Sequence, residues 1–110
     1  MKEALTIITN IIEQYKQTDQ PTGEQLNEWL KNLSAWLFYL EEQRAEAHER
    51  YEGILHNYTK EGYSVSKSKN EAEVQVPELY MLRRMMDAGY RVSDAMRTNI
   101  SYLKTEKRNA

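Results

Sequence analysis

From Leu26 onward the chain places Leu30, Leu33, Leu37, Leu40, Arg44, Ala47, Tyr51, Ile54 and Tyr58 at alternating four- and three-residue steps, without a slip. Such a heptad seam demands one long α-helix whose apolar stripe lies against another helix. Continuous from Gly23 to Glu61, that helix would run about 58 Å at 1.5 Å per residue. A chain of 110 residues has material for one domain and not two, so the molecule is expected to be elongated. The seam must find its partner within the same chain or in another copy.

Punctuation elsewhere is sparse, with two prolines and four glycines, which favours long helices. Leu5, Ile8, Ile12 and Tyr15, widened by Ala4 and Ile11, predict an amphipathic helix over residues 2–17. Thr18 to Pro21 stop it, and Thr22-Gly23-Glu24-Gln25 has the spacing of a capping box that opens the long helix over 23–61. Trp29 and Trp36 sit seven apart beside the seam and broaden its first half, so the first helix is expected to pack over that end. A further helix over 77–104 repeats the rhythm through Leu79, Leu82, Met86, Gly89, Ser93, Met96, Ile100 and Leu103. Pro77 suits its first position. Folding back near residues 62–70 gives an antiparallel hairpin in which Gly89 and Ser93 let bulky partners approach closely.

The connector, residues 62–76, has two readings. Alternation through Tyr63, Val65, Lys67, Ala72, Val74 and Val76 suits a small β-hairpin. Ser68-Lys69-Asn70-Glu71 has capping-box spacing and favours a short helix leading to Pro77, because a lone two-stranded ribbon is marginal. The fold expected is all-α: a long coiled-coil-like helical hairpin with the N-terminal helix at its open end.

Chemistry is thinly represented. Zero cysteines exclude a disulfide scaffold, thiolate metal ligation and a cysteine nucleophile, and fit a reducing, cytoplasmic setting. Leu5 to Ile12 is interrupted by Thr6, Thr9 and Asn10, so neither a signal peptide nor a membrane span is expected. His48, Glu52 and His56 form a stripe at four-residue spacing, but the outer pair are about 12 Å apart along the axis. One ion cannot take both, and a solvated polar face is the plainer reading. No phosphate loop, nucleophile elbow or zinc spacing occurs. No catalytic residue, metal or cofactor is assigned, and an enzyme is not expected.

Charge is uneven although the formal total is −2. Residues 1–76 hold eight basic and thirteen acidic side chains, and residues 77–110 hold seven and four. Arg83, Arg84, Arg91 and Arg97 are therefore expected to pair partly with glutamates across the hairpin. The alternative is a nucleic-acid contact through Arg84, Arg91, Arg97, Lys104 and Arg108, with tyrosines interleaved for stacking. Arg44 is expected either to reach Asp87 and set the hairpin's register or to lay its stem on the seam and turn its head to water. Trp29, Trp36, Tyr51, Leu55 and Tyr58 are the candidate protein contacts, the last three crowding a distal seam that a homodimer would cover.

The run Gly62-Tyr63-Ser64-Val65-Ser66-Lys67-Ser68-Lys69-Asn70-Glu71-Ala72, with Leu79-Tyr80, Asp94-Ala95-Met96-Arg97 and Leu103-Lys104, resembles small all-helical proteins encoded by phages and prophages. The resemblance spans residues 45–108 and implies a helical hairpin of phage-like origin; it brings no functional residue with it. The function expected is a non-enzymatic protein-interaction or oligomerising module, with a nucleic-acid-binding accessory role as the alternative.

Overall fold

The computed structural model describes residues 1–109. Four helices follow one another: α1 (Lys2–Gln17), α2 (Gly23–Lys60), α3 (Val65–Gln75) and α4 (Glu78–Asn109). The molecule measures 68 × 26 × 20 Å, with a Cα radius of gyration of 19.0 Å against about 13 Å for a compact chain of this length. It is a rod, as the seam requires. α2 and α4 form the antiparallel hairpin, and α1 lies across its open end.

Local signals explain the boundaries. The Thr22 side chain accepts from the Gln25 amide at 3.1 Å while Gln25 Oε1 accepts from the Thr22 amide at 2.9 Å, the reciprocal box that starts α2. α2 ends one residue earlier than the seam suggests. Gly62, at φ +96°, donates to the Thr59 carbonyl, and Tyr63 donates to the Tyr58 carbonyl, both at 3.1 Å. This is a Schellman termination, which a residue with a Cβ tolerates poorly at the glycine position. The Tyr58 and Tyr63 rings, 5.3 Å apart, supply its usual hydrophobic clasp.

The connector is helical, and no strand occurs among the described residues. Its start differs from the expected one. Ser64, not Ser68, accepts from the Lys67 amide at 3.1 Å, while Ser68 is fully buried and donates to the Ser64 carbonyl at 2.8 Å. The physical reason is the preceding turn: the Schellman motif delivers an extended Ser64 directly to a helix start, leaving Ser68 one turn inside. Pro77 lies just before the first residue of α4, and α4 continues past residue 104 to Asn109.

The core runs the length of the rod. Leu26, Leu33, Leu37, Leu40 and Ala47 of α2 are buried against Leu79, Leu82, Met86 and Met96 of α4, with Ala4, Ile8, Ile11 and Ile12 of α1 completing the open end. Three polar ties orient α1. Trp29 Nε1 donates to Gln14 Oε1 at 3.0 Å, Asn99 Nδ2 donates to the Tyr15 hydroxyl at 2.8 Å, and the Met1 ammonium donates to the Tyr39 hydroxyl at 3.3 Å. α1 therefore runs antiparallel to α2 and parallel to α4.

One core group lacks a partner. Ser93 Oγ is buried without a hydrogen bond, which costs about 1–3 kcal/mol of desolvation. Ser93→Ala removes the hydroxyl and has the better helix propensity, so urea denaturation should show a gain of about 1 kcal/mol. A loss of stability would mean that the hydroxyl is satisfied in solution.

Candidate interaction surface

The hairpin is laced along one flank by a ladder in heptad register. Tyr90 donates to Glu41 Oε1 at 2.7 Å. Seven residues farther along α2 and seven back along α4, Arg83 approaches His48 Nδ1 at 3.4 Å. Two steps of the same size from Glu41 and Tyr90 toward the open end bring Asn27 and Lys104 to the walls of one cleft. Burial first, then the Glu41 carboxylate, pushes the Tyr90 hydroxyl above its ordinary 10.0, with Arg44 pulling the other way. The folded chain thus holds this proton more tightly than the unfolded chain. Its contribution to stability is complete below pH 10 and disappears as pH rises through the folded value. The difference in tyrosinate absorbance between wild type and Tyr90→Phe should accordingly be a titration centred above pH 10; a midpoint at or below 10 would contradict the Glu41 contact.

The ladder does not use the ion pairs that charge counting suggests. Arg44 is half-buried at the seam edge, Asp87 is exposed, and no ion pair joins them among the described residues. Asp87 points outward from α4, because it follows the seam residue Met86 by one step of about 100°. Arg97 bonds Asp94 on its own helix at 3.3 Å, and Arg84 lies 5.8 Å from the Tyr80 ring. The ion pair that does cross the hairpin has the opposite polarity, with Arg50 of α2 meeting Glu78 of α4.

The sequence-selected contacts fall into different settings. Trp29 meets Tyr15 edge-on at 6.2 Å and Trp36 meets Tyr39 edge-on at 6.0 Å. With Ile7 and Ile11, both tryptophans line a groove of about 490 Å³ between α1 and α2. Tyr51, Leu55 and Tyr58 are half-buried, and the distal seam is not left with a single partner. α3 packs on α2 there, burying Ser68, Ala72 and Val76, with Gln75 Nε2 donating to the Tyr58 hydroxyl at 3.3 Å. The apolar surplus that would call for a homodimer at that end is covered by the chain itself.

The five basic candidates are all exposed, but they do not form one strip. Arg84 and Arg91 share a line; Arg97 follows Arg84 by thirteen residues, one short of two heptads, which sets it about 140° round the axis. Lys104 and Arg108 lie within about 20° of Arg97. A phosphate backbone tracking one line would meet two or three of them at a time.

A cleft of about 480 Å³ gathers His48, Tyr51, Glu52, Glu73, Tyr80 and Arg83 where α2, α3 and α4 meet. Polar groups do converge there, but His48 is engaged on both nitrogens, by Arg83 and by Glu52 at 3.6 Å. No serine, threonine or cysteine lines it. His56 is exposed, and among the described residues no three His, Cys, Asp or Glu side chains are grouped to hold a metal ion.

Sequence reading missed Phe38. It is 65% exposed, near the middle of α2 on the side away from the seam, with Ala35 and Ala45 on the same exposed side. Within Leu37-Phe38-Tyr39-Leu40 it passes for core; its position one step beyond the seam residue Leu37 was the available signal. No described helix is long and apolar enough to cross a membrane. No protein-family model, curated protein or solved structure matches this chain.

Proposed function

We propose that this protein is a non-enzymatic helical interaction module, a rod that presents the outward face of α2 to a protein partner. The observation that carries the reading is Phe38, an aromatic side chain with no polar group, 65% exposed at mid-rod. Large aromatic side chains of this kind anchor interfaces when a partner removes their surroundings from water. Small residues at Ala35 and Ala45 allow close approach of another helix, and Glu42, Glu46 and Glu49, exposed beyond the anchor along α2, make that end of the face acidic. A cytoplasmic site of action and a phage or prophage origin belong to the same reading, resting on the cysteine-free sequence and on the resemblance of residues 45–108.

The test is a photoactivatable phenylalanine analogue at position 38, with the same group at Val74 of α3, 74% exposed, as the control. Adducts of defined mass formed from position 38 and not from 74 are expected. Equal labelling from both positions, or none from 38, would remove this face as the contact.

A further inference from the structure

The ladder has an outward counterpart. One residue beyond Glu41 and His48 on α2 stand Glu42 and Glu49; one residue beyond Tyr90 and Arg83 on α4 stand Arg91 and Arg84. A step of about 100° turns all four directly away from the seam, and all four are exposed. None has an ion-pair partner among the described residues. Because the helices are antiparallel and the side-chain ends of Glu41 and Tyr90 meet, stepping one residue along each, with side chains of similar reach, separates the end of Glu42 from the height of the end of Arg91 by only two rises, about 3 Å. The same holds for Glu49 and Arg84, anchored by His48 and Arg83. The rod therefore carries two glutamates on one edge and two arginines on the opposite edge, at matching heights and matching seven-residue spacing.

We propose that copies of this chain associate side by side, the α2 edge of one against the α4 edge of the next, with Glu42 and Glu49 meeting Arg91 and Arg84 of the second copy. This names the partner for the interaction reading above and rests on it. A neighbour displaced sideways without rotation presents its α4 antiparallel to α2, so the heights already match and long side chains span the remaining offset. Phe38, one turn before Glu42, supplies apolar area beside the pairs. The helices as wholes agree in sign: α2 holds four basic and seven acidic side chains, α4 seven and four. Since the two edges face opposite ways, one neighbour cannot cover both. The contact is heterologous and the assembly open-ended rather than a closed dimer. Exposed ion pairs are individually weak and the strip is narrow, which places the association in the weak, concentration-dependent class.

Sedimentation velocity of the full chain across a concentration series, at about 0.1 M and about 1 M salt, tests this. At the lower salt the mean mass should climb with concentration without stopping at a dimer, and at the higher salt it should return toward monomer. Glu42→Arg with Glu49→Arg makes both edges basic, and Arg84→Glu with Arg91→Glu makes both acidic. Each double variant should sediment as a monomer by itself, and the two should associate when mixed. The fourfold exchange should restore self-association. All four positions are exposed, so unchanged melting temperatures will show that folding is intact. A monomeric wild type at lower salt, a closed dimer, or double variants that associate as wild type does would overturn the proposal. Should adducts at position 38 then form with a different protein, the interaction face survives and only the self-pairing falls.

Discussion

Leu37→Ala should lower the unfolding free energy by about 3 kcal/mol, and Gly89→Ala should change sign between the wild-type and Leu37→Ala backgrounds. A Cβ placed on Gly89 would lie 2.6 Å from Leu37 Cδ2 and 3.3 Å from both Cδ1 and Cγ. The leucine, only 3% exposed, fills the notch that the glycine leaves and has little room to retreat. In the wild-type chain the overpacking cost of about 1–3 kcal/mol outweighs the roughly 1 kcal/mol that alanine gains over glycine in a helix, so Gly89→Ala should destabilise. Once Leu37 is truncated the notch is empty, and the same substitution should recover about 1 kcal/mol or more. A double-mutant cycle by urea denaturation reads this directly. Additive effects would mean that the two residues do not touch.

The second large effect concerns α3. Ala72 is fully buried against α2, and Ala72→Asp would place a carboxylate there without a cation to meet it. Burying an uncompensated charge costs about 3 kcal/mol or more, which exceeds what one short helix gains from docking, so α3 should detach instead. Amide exchange over residues 65–75 should accelerate by orders of magnitude, and Tyr51 and Tyr58 should become solvent-accessible, while the α2–α4 ladder stays protected. Val74→Asp, on the exposed side of the same helix, should leave exchange unchanged. Protection retained in the Ala72 variant would show that α3 does not cover the distal seam.

These two expectations divide what the sequence shows from what it hides. The seam and its mirror are visible because apolar residues repeat with the helical period at nine of ten positions from Leu26 to Tyr58, whereas the meeting of Leu37 with Gly89 comes from the structure. The axial register is not visible, because a seven-residue repeat fits several: the Leu37–Gly89 contact brings Arg44 level with about position 82 rather than 88, and Asp87 also points away from the seam, so the Arg44 and Asp87 pair is not formed. A short helix in the connector is visible, but its docking on α2 is not, because the residues α3 buries, Ser68 and Ala72, are small and carry little hydropathy. Its cap at Ser64 was obscured by a second serine with equivalent spacing; only the Schellman turn at Gly62 distinguishes them. The surface reading failed at Phe38 for a related reason. Hydrophobic character taken without its angle merges an outward phenylalanine with the core, while Tyr51, Leu55 and Tyr58 look unclaimed because the sequence does not show the connector helix packing back on α2.

On the proposed reading, contacts to other molecules form on the outward edges of the rod and not on its distal seam. Backbone amide chemical shifts of the wild-type chain, followed as concentration rises from tens of micromolar toward the millimolar range at about 0.1 M salt, locate the contact residue by residue. Shifts should be confined to residues 35–49 on the outer face of α2 and 80–91 on the outer face of α4, with Tyr51, Leu55, Tyr58 and all of α3 unmoved. Shifts centred on those three residues with α3 released, or no shifts at all, would contradict it.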